Sequence, residues 1–154
     1  MAILTTHVGS LPRPKIVSEL LFKREKEEEY NLQYFEEVIS KSVEEVVKKQ
    51  LDVGVDIISD GEMSKISYAT YVKDRYNGFA GDSERNPPQD LEKFPNYMKK
   101  IADSGGTPTY SRPCCVAEIS SKKNNDLSND IKNLLGASKK FNHNKIFMNA
   151  ASPG

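Results

Sequence analysis

Two short runs hold the residues whose types and spacing suit chemistry: Thr5-Thr6-His7-Val8-Gly9-Ser10-Leu11-Pro12 and Asp56-Ile57-Ile58-Ser59-Asp60-Gly61-Glu62. In each, a β-type stretch stops at a glycine beside polar side chains. The C-terminal mouths of strands are where ligands bind in βαβ architectures. A hydroxyl at Ser10, an imidazole at His7 and carboxylates at Asp60 and Glu62 therefore suit the binding of a small polar molecule. Each also has a structural alternative. Gly9 and Ser10 suit a plain strand-to-loop turn, Glu62 suits a helix N-terminus facing the macrodipole, and Asp60 suits a hydrogen-bond acceptor as well as an acid.

The surrounding pattern supplies elements to position them. Residues 3–7 read as a short strand. Pro12 and Pro14 then break the backbone and lead into a helix over about 15–30, with Ile16, Leu20 and Leu21 on one stripe and the charged run 23–29 as its solvated end. Phe35, Val38, Ile39, Ser42, Val46 and Leu51 recur at helical steps in a second helix, closed where Gly54 suits a left-handed C-cap. Residues 55–59 follow as a buried strand. A helix over 67–76 ends at Gly78, residues 81–89 form a polar loop, a helix over 91–102 is interrupted near Pro95, and residues 105–108 turn. The spacing then predicts a third strand at 114–120, a helix over 126–140 with Leu127, Ile131, Leu134 and Leu135 on one face, and a fourth strand at 145–149. Four strands alternating with helices imply a parallel sheet.

Composition narrows the class. The 154 residues allow one domain, and 22 Lys+Arg against 22 Asp+Glu leave no charge excess to steer the chain to nucleic acid or acidic membranes. Hydrophobic residues make up 37%, lean for a compact domain, so surface is expected to await a covering partner. No signal peptide or membrane span is visible, and the two cysteines, Cys114 and Cys115, are adjacent and unsuited to an ordinary structural disulfide, so the expected compartment is the cytoplasm.

The two strand-end runs, extended through Arg13 and Pro14, resemble the catalytic barrel of the cobalamin-independent methionine synthase family and its stand-alone relatives. Gln50-Leu51-Asp52-Val53-Gly54-Val55-Asp56, the Asn77-Gly78-Phe79 segment and the terminal Ala150-Ala151-Ser152-Pro153-Gly154 strengthen the likeness. The resemblance implies a (β/α)8 TIM barrel of which this chain supplies about the first four β/α units. A closed barrel takes about 250 residues, so residues 1–154 are expected to be an apparently truncated N-terminal half.

It also implies an activity: methyl transfer from 5-methyltetrahydrofolate to the homocysteine thiolate, with zinc holding the sulfur. A thiol of pKa about 8.5 is largely protonated near neutrality, and a bound metal deprotonates it. Carried over by motif, Val8, Gly9, Ser10 and Glu62 would hold the amino-acid part of homocysteine. Glu62 would pair with its ammonium, Gly9 would let backbone approach closely, and Ser10 would donate N–H and hydroxyl. His7 departs from the small hydroxyl residue of the better-known synthases, and either faces the mouth and touches substrate or packs as an ordinary histidine. The family's zinc ligands have no counterpart in this chain, so no metal ligand and no catalytic residue is assigned. Cys114 and Cys115 read as core strand thiols and His143 as an exposed loop residue. The isolated chain is expected to be inactive, with an open sheet edge favouring self-association or a complementary chain. The alternatives are a non-catalytic fragment or assembly partner, and a related zinc-dependent alkyltransferase acting on another thiol.

Overall fold

The structure, a computed structural model, describes residues 3–83, 89–103 and 112–150. Its longest element is α2, Leu32–Asp52, which begins where the Asn31 side chain accepts a hydrogen bond from the Tyr34 N–H at 2.9 Å. An asparagine at this position satisfies a backbone donor that the helix itself leaves free. Phe35, Ile39, Val43, Val46 and Val47 are buried along one face at steps of three, four and one. The chain leaves the helix through Gly54 (φ +81), as its sequence position suggested.

Helix α1 spans Lys15–Glu25, shorter than the expected 15–30. Lys23 and Arg24 occupy its last turn, where positive charge is favoured, whereas Glu27, Glu28 and Glu29 would place three negative charges at the negative end of the dipole. The backbone instead reverses at Glu27 (φ +57). Val17, Leu20 and Leu21 are its buried residues, while Ile16 remains 40% exposed.

The extended residues 3–7, 55–59 and 145–149 lie side by side, with 55–59 in the middle. Parallel bridges join Thr6 to Ile57 and Ile58 to Ile146. The Ile57 N–H reaches the Thr5 carbonyl at 2.9 Å, the Ile58 N–H reaches Lys145 at 3.1 Å, and the Phe147 N–H reaches Ile58 at 2.8 Å. Ile58 is fully buried in one core with the apolar residues of α1 and α2, Met63, Leu134 and Ala137. The fold is thus mixed α/β, with its helices packed about a small parallel core.

Between the second and third extended segments the chain makes an excursion. Helix α3, Tyr68–Arg75, opens on a reciprocal capping box between Ser67 and Thr70 and runs directly into strand β1, Tyr76–Ala80. Helix α4, Gln89–Glu92, stops just before Pro95, and α5, Pro95–Asp103, begins on it, so the break falls near Pro95 as the sequence predicted. Strand β2, Cys114–Ser121, pairs antiparallel with β1, and all eight of its residues are exposed. The expected third parallel strand is therefore half of a solvated two-stranded sheet, and residues 145–149 take the third position in the parallel core. Gly78 does not end a helix. It sits at a register shift in β1, with φ +91, where a Cβ would come within 2.7 Å of the Glu118 carbonyl oxygen. Only glycine admits the partner backbone so closely. Residues 104–111, including the turn predicted at 105–108, and most of the loop predicted at 81–89 lie outside the described residues, as do 151–154.

Helix α6, Asp126–Lys140, packs on α2 through Leu134 and Ala137. The single apolar face predicted for it is divided: Leu134 is buried, but Leu127, Ile131 and Leu135 are 49%, 43% and 41% exposed. Partly buried charges tie α1, α3 and α6 together. Arg24 of α1 contacts Asp126 of α6 at 2.5 Å and Asp74 of α3 at 4.0 Å, and Arg75 of α3 donates to Asp130 of α6 at 2.7 Å. No helix among the described residues is long and apolar enough to cross a membrane.

Candidate functional site at the strand mouths

The three extended segments end on the same side, and each delivers a polar group to one point. Ser10 follows the first, Glu62 follows the second, and Asn149 lies at the end of the third. The Ser10 hydroxyl donates to Glu62 Oε2 at 2.5 Å, and Asn149 Nδ2 donates to Glu62 Oε1 at 3.1 Å. One carboxylate thus receives a donor from each neighbouring segment.

The backbone around Glu62 is built to hold it there. Gly61 and Glu62 both adopt left-handed conformations, at φ +60 and +56. For glutamate this is uncommon and needs surrounding support. Asp60 supplies part of it, with Oδ1 accepting the Glu62 N–H at 3.1 Å. A Cβ on Gly61 would crowd Leu11 and Met63 at 3.2 Å, which fits the tight approach of the two loops there. The Leu11 N–H closes that approach on the Gly61 carbonyl at 3.0 Å.

Arg13 clamps the same two loops. Its Nη2 donates to the Glu62 carbonyl at 3.0 Å and to Ser10 Oγ at 3.3 Å. Burial lowers the Arg13 pKa, with the Glu62 and Asp60 carboxylates opposing that shift; guanidinium nevertheless stays protonated. Since Arg13 bonds the Glu62 main chain, its fork does not occupy the carboxylate oxygens. Those oxygens carry two neutral donors, and an ionised carboxylate has about four acceptor sites. Acceptor capacity remains for a cationic donor arriving from solvent.

Val8 is 67% exposed, and Ser10 is exposed where it meets Glu62. Asp60 is 2% exposed and engaged with the Glu62 N–H, so it serves this turn as a hydrogen-bond acceptor. His7 is not among the groups that hydrogen-bond Glu62. It lines a groove of about 390 Å³ with Leu11, Pro12, Val46 and Met63, and its buried Nε2 has no hydrogen-bond partner among the described residues. Successive strand residues face opposite sides, and the preceding Thr6 hydroxyl is engaged with the Ile57 carbonyl at 2.8 Å.

Asn149 and Arg13 are participants that sequence reasoning did not single out. The available signals were Arg13 standing three residues after Ser10 and Asn149 closing the last strand. Two expectations are corrected. Cys114 and Cys115 are exposed on β2 and do not belong to the core. His143 is partly buried, its Nε2 lying 3.0 Å from the Asp56 carbonyl oxygen, and so it ties the third segment to the second. Among the described residues no group of three or more His, Cys, Asp or Glu side chains is placed to hold a metal ion. A zinc ion does not fit the side chains present here.

Comparison with known proteins places the chain in a family. The sequence family described as cobalamin-independent synthase, catalytic domain, matches residues 3–86, more than half of the chain and the part that contains both strand-end runs. A methionine synthase of Sulfolobus acidocaldarius is 32% identical over 75 residues, which are 49% of this chain and 22% of that protein. The match thus spans about a fifth of the relative's length.

Proposed function

Because the chain belongs to the cobalamin-independent methionine synthase catalytic-domain family, we propose that it carries the amino-acid-binding part of a methyltransferase that moves a methyl group from 5-methyltetrahydrofolate to homocysteine. The observation that carries the reading is the Glu62 carboxylate, held between Ser10 and Asn149 with acceptor capacity to spare. An α-ammonium group is the complementary ligand, and the pair forms a charge-assisted hydrogen bond. The backbone N–H groups of Val8, Gly9 and Ser10 receive the substrate carboxylate, and His7 adjoins them from the neighbouring groove. The three parallel segments then correspond to early β/α units of a TIM barrel whose mouth is the site.

In the family reading zinc supplies thiolate activation. Among the described residues no set of side chains fits the metal, so the contribution proposed for this chain is to bind and orient the amino-acid end of the substrate. The exposed Leu127, Ile131 and Leu135 of α6, together with Ile146 and Phe147 at the edge of the parallel core, favour a chain that works joined to further β/α units and turns over no substrate alone.

Isothermal titration with L-homocysteine and with 4-mercaptobutanoate, which keeps the thiol and carboxylate but lacks the amine, tests the reading. Homocysteine should bind about tenfold more tightly or better, the expected return on a hydrogen bond to a charged group. Equal affinity for the two, or affinity for neither, would remove the role given to Glu62.

A further inference from the structure

Lys65 lies beneath the mouth, 8% exposed, and takes no part in the site as described so far. A lysine this deeply buried needs partners for its charge. Its Nζ lies 3.8 Å from Asp60 Oδ2, donates to the Asn149 main-chain carbonyl at 3.3 Å, and stands 5.1 Å from the centre of the Tyr71 ring. Both polar partners are residues that themselves grip Glu62. Asp60 accepts the Glu62 N–H through its other oxygen, and Asn149 donates its side-chain amide to Glu62 Oε1. The contacts close into a ring running from Lys65 through Asp60, Glu62 and Asn149 back to Lys65.

We propose that Lys65 is a positioning residue for the substrate-binding carboxylate, fixing Glu62 from both sides through Asp60 and Asn149. Asp60 and Glu62 belong to one tight turn, but Asn149 comes from a segment 87 positions away in the chain. The Lys65 ammonium pins its main-chain carbonyl. Without that contact the amide is free to swing off the carboxylate, leaving Ser10 as its side-chain donor among the described residues. The inference rests on reading Glu62 as the ammonium-binding group, yet the Asn149 link can be measured without any ligand.

The test uses the full chain with Lys65→Met, Lys65→Arg and the double variant Asp60→Asn/Lys65→Met, which leaves no buried carboxylate unpaired should the single methionine variant fail to fold. The side-chain amide resonances of Asn149 are recorded in each background with and without Glu62→Gln. With Lys65 or arginine present, Glu62→Gln should move those resonances; in either methionine background it should leave them in place. Affinity for L-homocysteine should fall about tenfold in the methionine backgrounds and be largely restored by arginine. Asn149 resonances that respond equally to Glu62→Gln in all backgrounds overturn the positioning role. A Lys65-dependent response in a protein that binds no homocysteine upholds the positioning role and refutes only the substrate reading.

Discussion

Replacing Glu62 by glutamine should lower the affinity for L-homocysteine between about tenfold and a hundredfold, the equivalent of losing a hydrogen bond to a charged group worth about 1.5–3 kcal/mol. Glutamine keeps the side chain's size and retains a carbonyl oxygen for the Ser10 hydroxyl, which lies 2.5 Å from Glu62 Oε2. Both residues face the same left-handed backbone at φ +56, so strain is unchanged by the substitution. What disappears is the negative charge opposite the substrate ammonium, together with the Oε1 acceptor of the Asn149 amide. Affinity for 4-mercaptobutanoate, which has no ammonium, should be little altered. Titration of both ligands against both proteins checks the pattern, and a parallel loss for the two would point to a damaged loop rather than a lost ion pair.

Removing the Asp130 carboxylate should have the largest effect on stability. Arg75 donates to it at 2.7 Å, with the two side chains 11% and 5% exposed, and the guanidinium also lies 3.6 Å from the centre of the Tyr71 ring. Asp130→Ala strands that guanidinium and should cost about 3 kcal/mol, the lower end of the range for breaking one side of a buried pair. Asp130→Asn retains an acceptor oxygen and should cost less. Burial raises the Asp130 pKa above the ordinary aspartate value, even with Arg75 pulling it down. The folded state therefore binds this proton more tightly than the unfolded chain does. The resulting stability is fully present below the ordinary aspartate pKa, about 3.9, and is lost as pH rises through the folded value. Urea unfolding of the wild type and Asp130→Asn at a series of pH values between about 7 and 4 should show the wild type's advantage growing as pH falls. A constant or shrinking difference would contradict that linkage.

The helices were largely legible in the sequence because their signals are local. The apolar spacing from Phe35 to Leu51 and the turn at Gly54 needed nothing beyond neighbouring residues, and α6 spans the residues expected of it. The strand-end motifs were legible for the same reason, as each is a contiguous run. Partner choice was not. Cys-Cys-Val-Ala-Glu-Ile-Ser-Ser reads as a short apolar strand, and nothing within it tells a parallel core strand from half of an exposed antiparallel pair. Its partner, Tyr76–Ala80, was hidden behind a helix that reads continuously into it. The role of Gly78 depends on the Ala117 and Glu118 carbonyls some forty positions away. At the site, Ser10 and Glu62 were visible as residue types at strand ends. The Asn149 amide and the Lys65 ammonium acquire a role only once the third segment docks beside the second.

The burial of Asp60 and Lys65 and the docking of all three segments around Glu62 make the strand mouth a candidate site whose side chains already contact one another. The most direct test is a backbone and side-chain amide NMR titration of the chain with L-homocysteine. Saturable shifts should concentrate at Gly9, Ser10, Glu62 and the Asn149 side chain, with the β1–β2 pair unmoved. No saturable shift, or shifts confined to the groove beside His7 or to the exposed face of α6, would contradict the assignment of this mouth as the amino-acid-binding site.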